Sequence, residues 1–279
     1  MKRFFILLSF LVLCTSIGVW ADAMPGSTHL LPAPQKLEKN GSTFALDRPV
    51  KIDNAFDDTE LLTEILQELG LEESITATAT VKVNKVSRIA GADEPTLAGF
   101  ESEAYTLSID GNTITIDAVS RLGVIRAAQT LQQLAEADGG HTAALEGLTI
   151  TDWPAFKVRG FMHDVGRSFI TYDELVKQIK LYSRFKVNFF QWHMTENQAW
   201  RFQVKAYPQL TATQNMTRFA GQYYTQEQCK AIDELGHKYG IYVVPEIDMP
   251  GHSETFKTAM GHDMQTSQGV KEPRAVLDE

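Results

Sequence analysis

The sequence predicts an α/β chain in two parts: a small α+β domain over residues 24–150, then the first part of a (β/α)8 barrel over residues 151–279, incomplete as it stands. Three observations predict it. The hydrophobic rhythm changes at Asp152-Trp153-Pro154; three apolar strand-like runs alternate with amphipathic helices after that point; and polar residues gather at the carboxyl end of each run. A doubly wound sheet gives the same alternation, and ligands bind at the carboxyl ends of strands in both architectures. No glycine-rich loop follows any strand, which removes the nucleotide-binding version.

The first residues predict export. Lys2 and Arg3 precede the apolar run Phe4 to Leu13, and small residues follow at Ala21 and Ala23, the order of a signal peptide over residues 1–23. Ser9, Thr15, Ser16 and Gly18 interrupt the apolar character, which falls short of the ~20 residues a stable membrane span needs. Lipid anchoring at Cys14 is disfavoured by the bulky Leu13 before it. With the leader removed, Cys229 is the one cysteine left, so no intramolecular disulfide is expected and packing must supply stability. A hydrophobic content of 43% suffices for a real core, and a net charge of −9 argues against a nucleic-acid partner, which needs an excess of Lys and Arg.

In the first domain, Asp57 with Glu60 reads as a capping box before Leu61, Leu62, Ile65, Leu66 and Leu69, and Gly70 closes that helix. Thr78 to Val86 and Tyr105 to Ile109 alternate like strands, and Gly111-Asn112 turns the second into Thr113 to Ile116 as a hairpin. Ser120 caps a helix carrying Leu122, Ile125, Ala128, Leu131 and Leu134. Nothing in this domain looks catalytic.

After the boundary, Lys157 to Asp164 is a predicted strand, and Thr171 with Glu174 opens a helix bearing Leu175, Val176, Ile179, Tyr182 and Phe185. Val187 to His193 is a second strand. Thr225 with Gln228 caps a helix that Gly240 ends, and Ile241 to Ile247 is a third strand. Arg274 to Leu277 reads as a helix, and Asp278-Glu279 as its solvated end.

Three clusters at the strand ends are candidates for chemistry. In the first, Arg159-Gly-Phe-Met-His163-Asp164-Val-Gly-Arg167, Arg159, Phe161 and His163 share one face by the period of two, with Arg159 aimed into the barrel or at the helix layer. A guanidinium inside a barrel can fork onto vicinal hydroxyls or a carboxylate; a structural ion pair is the other reading. The second, Gln191-Trp192-His193-Met194-Thr195-Glu196-Asn197-Gln198-Ala199-Trp200-Arg201, sets an imidazole, a carboxylate and amides beside two Trp, as sugar sites often do, unless the Trp rings pack under the loop. The third, Pro245-Glu246-Ile-Asp248-Met-Pro250-Gly251-His252, brings two carboxylates and a His on a Pro and Gly turn.

In this order and spacing the clusters resemble family 20 glycoside hydrolases, the β-N-acetylhexosaminidases, with their Arg-Gly-x-Met-x-Asp, His-Trp-His-x-x-Asp-Asp-Gln-x-Trp-Arg and Pro-Glu-Ile-Asp-Met-Pro-Gly-His motifs. Leu31-Pro-Ala-Pro-Gln and the helix after Ser120 resemble that family's non-catalytic N-terminal domain. The resemblance implies a (β/α)8 barrel that removes terminal N-acetylglucosamine or N-acetylgalactosamine with retention, the substrate's acetamido oxygen acting as nucleophile, with no metal or other cofactor. It implies catalytic support from His252, linking the acid to Glu196, and sugar binding by Arg159, Asp164, His193, Asn197, Glu246 and Asp248. Gln191, Glu196 and Asn197 stand where the family has His, Asp and Asp. The family's Asp-Glu pair on a fourth strand has no counterpart here, and residues 157–279 hold about three units of a barrel of about 250 residues. Those three strands are expected to leave an open parallel edge. Two readings compete: a sugar-binding fragment without catalysis, and a metal hydrolase using His163, Asp164, His193, Glu246 and His252, though no His-x-His or His-x-x-x-His spacing occurs in these clusters.

Overall fold

The computed structural model describes residues 29–92, 94–137 and 140–278; the signal segment, Cys14 and Glu279 lie outside them. A six-stranded mixed sheet is formed by β1 (Lys36–Ala45), β2 (Val50–Asn54), β3 (Ala79–Lys85), β4 (Tyr105–Asp110), β5 (Thr113–Ala118) and β6 (Ala144–Asp152), in the order β1-β6-β4-β5-β3-β2. The β4 and β5 strands are the expected antiparallel hairpin, turned by Gly111 at a φ of 54°. Helices α1 (Glu60–Glu68) and α2 (Arg121–Ala135) cover the sheet.

Two helix starts compare instructively. Ser120 caps α2 by accepting from the Leu122 amide, a bond of about 1 kcal/mol. For α1 the cap position is Thr59, whose side chain makes no capping bond, so the expected Asp57 and Glu60 box does not form. Asp58 adopts a left-handed φ of 56°, which places Asp57 outside the helix start.

The second part is a parallel β-α-β-α-β unit. Strands β7 (Gly160–Asp164), β8 (Phe189–His193) and β9 (Tyr242–Glu246) form an all-parallel sheet in the order β9-β8-β7. Each is shorter than its apolar run because flanking residues leave the ladder. The crossover helices are α3 (Tyr172–Arg184) and α4 (Gln226–Tyr239). Thr171 accepts from the Glu174 amide, and Thr225 and Gln228 satisfy each other's backbone in a complete capping box. Gly240 ends α4 at a φ of 70°. Helices α5 (Glu254–Met260) and α6 (Lys271–Leu277) follow.

The register lines the three strands up in layers. On the inner face, Gly160, Phe189 and Tyr242 form the lowest layer, Met162, Gln191 and Val244 the middle, and Asp164, His193 and Glu246 the top. The face passes from apolar to ionic toward the carboxyl ends, as in barrel enzymes. Its lower part is open: Met162 is 54% and Tyr242 71% exposed. The outer face carries Phe161, His163, Phe190 and Trp192, which pack with Tyr182 and Tyr224.

One buried core runs from the six-stranded sheet through α2 to the helix side of the parallel sheet. Arg126 and Gln129 of α2 are buried because α2 faces the second part as well as its own sheet. Arg126 donates to Glu103 Oε2 at 2.6 Å and to the Gly240 carbonyl at 2.8 Å, and Gln129 donates to Ser183 Oγ at 2.6 Å and the Tyr239 carbonyl at 3.1 Å. Burial pushes the Glu103 carboxyl up, but Arg126 and Arg159 outweigh it and hold the group below its usual range. Lys186, also buried, bonds Asp152 at 2.7 Å and Tyr105 at 3.0 Å. At the rim, Glu64 takes Lys238 at 2.5 Å, Lys180 at 3.2 Å and Tyr239 at 2.7 Å; against the upward push of partial burial, these draw its pKa down to about 2.

Removing Glu103 leaves Arg126 buried without its ionic partner. Glu103→Ala is expected to lower unfolding free energy by about 3–5 kcal/mol, measured by urea denaturation. A loss below about 1 kcal/mol would show that the network contributes little.

Candidate active site

The top layer and the loops above it build one ionic cluster. Asp164 ends β7, His193 ends β8 and Glu246 ends β9, while Glu196, Asp248 and His252 come from the two loops that follow. Glu196 is 1% exposed, and its Oε1 lies 2.7 Å from His252 Nδ1 and 3.6 Å from His193 Nε2. Arg167 bridges two carboxylates: one guanidinium nitrogen donates to Asp164 Oδ2 at 2.7 Å and another meets Glu196 Oε1. The Arg167 amide also donates to Asp164 Oδ1 at 3.0 Å.

On the other side, His193 Nδ1 lies 3.1 Å from Glu246 Oε1, and Gln191 donates to Glu246 Oε2 at 2.5 Å. Burial raises the Glu246 pKa, but the bond from Gln191 and the contact with His193 more than offset it, and the net shift is downward. Asp248 is tied by its amide to Thr195 Oγ1 at 2.9 Å, and its carboxylate lies 3.7 Å from His252 Nε2.

Seven of the residues singled out from sequence therefore meet at one place: Asp164, His193, Glu196, Asn197, Glu246, Asp248 and His252. Arg159 does not join them. It stands at the opposite end of β7, about 17 Å along the strand from Asp164, and bonds Glu103 and the carbonyls of Lys186 and Phe156. The expectation that it touches sugar is corrected: the parity that joins it to Phe161 and His163 puts it on the outer face, and its donors are taken by the domain junction. Asn197 belongs to the cluster, yet its side-chain oxygen accepts from the Glu254 amide at 3.2 Å.

Trp192 and Trp200 are each 1% exposed and pack with Phe190, Tyr224, Phe202 and Phe256, so they are core and not sugar walls. Two functional positions lay within the quoted motifs without a role. One is Arg167, which the turn after Asp164 could have marked. The other is Arg201, fully buried, whose guanidinium donates to the carbonyls of Val165, Gly166, Arg218, Phe219 and Gln222 and so ties the loop after β7 to the long loop before α4.

Two triads could hold a cation, with ligand atoms within 4.8 Å: Asp164, His193 and Glu196, and His193, Glu246 and Asp248. In the first, Arg167 already supplies the positive charge between Asp164 and Glu196. The second has one imidazole and two carboxylates, one of them occupied by Gln191. A cleft of about 1010 Å³ lies elsewhere, at the amino ends of the strands beside Arg121, Arg126 and His237.

Ionic groups collected at the carboxyl ends of parallel strands, beneath loops that fix each other, define a barrel-enzyme type of site. The chain belongs to glycosyl hydrolase family 20: residues 156–276 match the family's catalytic domain and residues 27–153 its domain 2. It is 32% identical over 241 residues to a beta-hexosaminidase of Porphyromonas gingivalis, an alignment covering 81% of this chain and 30% of the relative. A beta-N-acetylhexosaminidase of Cellulomonas fimi is 36% identical over 57% of this chain and 33% of its own. Among solved structures, the beta-N-acetylhexosaminidase of Bacteroides fragilis superposes with a TM-score of 0.76 at 26% identity, covering 89% of this chain and 53% of that one. A GH20 exo beta-N-acetylglucosaminidase of Vibrio harveyi, solved with N-acetylglucosamine, gives 0.70 at 26% identity over 83% and 38%. The chain thus spans about a third of the curated relatives it matches and about half, or less, of these solved ones.

Replacing Gln191 by Met removes a donor to Glu246 and leaves burial opposed only by the two imidazoles, His193 and His252. The Glu246 carboxyl is expected to titrate at higher pH in Gln191→Met, followed by carboxyl-detected NMR; an unmoved or lower titration would refute the assigned cause.

Proposed function

We propose that this chain is the sugar-holding part of an exported β-N-acetylhexosaminidase, acting on terminal N-acetylglucosamine or N-acetylgalactosamine of oligosaccharides or glycoconjugates. The observation that carries the reading is the buried Glu196 carboxylate held between His252 and Arg167 at the strand ends. It offers an imidazole whose second nitrogen faces a carboxylate, as a group that steadies a neighbouring acid must. In the reaction so assigned, the acetamido oxygen attacks the anomeric carbon as the glycosidic bond breaks, a carboxylic acid protonates the leaving oxygen, and water then opens the cyclic intermediate. The acid and the carboxylate that orients the acetamide belong to the whole barrel, beyond the three strands described. Here His252 and Glu196 support that acid, and Arg167, Asp164, Glu246 and Asp248 offer the hydrogen-bonding groups for sugar hydroxyls.

Arg167 takes the sugar-binding role that the resemblance suggested for Arg159, because its charged head lies in the cluster and is half exposed. In an enzyme carrying the complete barrel, Arg167→Ala is expected to lower kcat/KM on an aryl N-acetyl-β-glucosaminide by about 10- to 100-fold, the worth of a charge-assisted bond. Arg159→Lys should keep kcat/KM near wild type while lowering Tm. The reverse pattern would return the sugar to Arg159.

A metal-dependent hydrolase is favoured only by the His193, Glu246 and Asp248 triad. Saturable zinc binding abolished by His193→Ala would support it. Export rests on Lys2, Arg3, the Phe4 to Leu13 run and Ala21 with Ala23. The mass of the mature protein should correspond to cleavage after Ala23, and an intact amino terminus would refute it. No helix among the described residues is long and apolar enough to cross a membrane.

A further inference from the structure

The loop that carries His252 is pinned at both ends by the two neighbours of Glu196. At its start the Asp248 amide donates to Thr195 Oγ1 at 2.9 Å; at its end the Glu254 amide donates to Asn197 Oδ1 at 3.2 Å. Thr255, itself 1% exposed, adds a bond from its hydroxyl to the Asn197 carbonyl at 3.1 Å. Between these points the chain needs support: His252 sits at a left-handed φ of 47°, which a non-glycine residue adopts at a cost.

Ser253 stands at the cap position of α5 but makes no capping bond. Its hydroxyl donates instead to the Pro250 carbonyl at 2.6 Å, inside the loop. The first amide of α5 therefore finds its acceptor in another loop, on Asn197. The Asn197 amide in turn donates to Glu196 Oε2 at 2.8 Å, so the same residue touches the carboxylate and holds the loop bearing its partner.

We infer that Asn197, with Thr195, is a positioning residue: it serves as a helix cap lent from one loop to another and sets the His252 ring against Glu196, rather than binding sugar. The inference deepens the hexosaminidase reading and rests on it for its meaning, but its geometry stands on the contacts alone. An acceptor oxygen at this reach is the chemical requirement, so Asp would serve and Ala would not.

The test uses the full chain and NMR. In Asn197→Ala, amide exchange over Glu254 to Met260 is expected to quicken by about five- to tenfold, the scale of a lost cap. The His252 ring resonances should move in the same variant, while amides of β8 keep their protection, which shows an intact fold. Asn197→Asp should restore both. Thr195→Val should move the same ring resonances, by way of Asp248. Unchanged exchange and ring signals in Asn197→Ala would overturn the inference, as would failure of Asn197→Asp to restore them. If N-acetylglucosamine added to Asn197→Ala loses affinity while exchange and ring signals stay those of the unmodified chain, Asn197 is a sugar contact and the inference fails. A chain that binds no N-acetylglucosamine at all would count against the hexosaminidase reading, and the exchange and ring measurements would still decide the role of Asn197.

Discussion

The structure turns on one carboxylate, Glu103, held between the guanidiniums of Arg126 and Arg159. Glu103 and Arg126 come from the first part of the chain, Arg159 from the residue before β7. A charge buried this deeply would be costly alone; Arg126 offsets that cost from within the first part, and Arg159 adds to it only while both parts are docked. Arg126 also reaches the Gly240 carbonyl, at the negative end of α4, so the junction's surplus of positive charge is met by a helix terminus. The parallel sheet is thereby anchored at its amino ends, while its carboxyl ends are left for loops and ligands.

That polarity explains the division of labour along each strand. The inner face places Gly160, Phe189 and Tyr242 at the anchored end and Asp164, His193 and Glu246 at the other. Two guanidiniums of the first motif, eight positions apart in sequence, fall on opposite ends of this gradient. Arg159 meets the carbonyls of Lys186 and Phe156 and the carboxylate of Glu103; Arg167, past the strand end, meets Asp164 and Glu196. Spacing alone could not separate them, because strand parity gives a face but not the neighbour on the far side of the junction. The partner of Arg159 lies 56 residues earlier.

Much of the rest was legible. Local signals placed the hairpin at Gly111, the caps at Ser120 and Thr225, and the stop at Gly240, since each is set by backbone chemistry within a few residues. The Asp57 and Glu60 box failed where such a signal had a competitor, the left-handed Asp58 that moves the helix start to Thr59. Gathering of the site residues was legible too, because parallel strands in register must bring their carboxyl ends together. What the sequence withheld was tertiary: that Trp192 and Trp200 turn inward, and that Arg201 collects five carbonyls from two loops.

The close packing around Glu196 also has a physical account. Gly166, in the turn after β7, faces this side chain so closely that a Cβ there would stand 2.5 Å from Glu196 Cβ and 2.8 Å from its Cγ. The missing side chain at 166 is thus what lets the turn after β7 lie against the Glu196 side chain, whose Oε1 reaches His252 at 2.7 Å. Arg201 fixes Gly166 by donating to its carbonyl at 3.0 Å, so the close approach is held by a buried group and not by chance of loop motion. Absence of a Cβ at 166 and the rigid carbonyl clamp at 201 are two parts of one steric solution. Together they keep a buried, doubly partnered carboxylate in place.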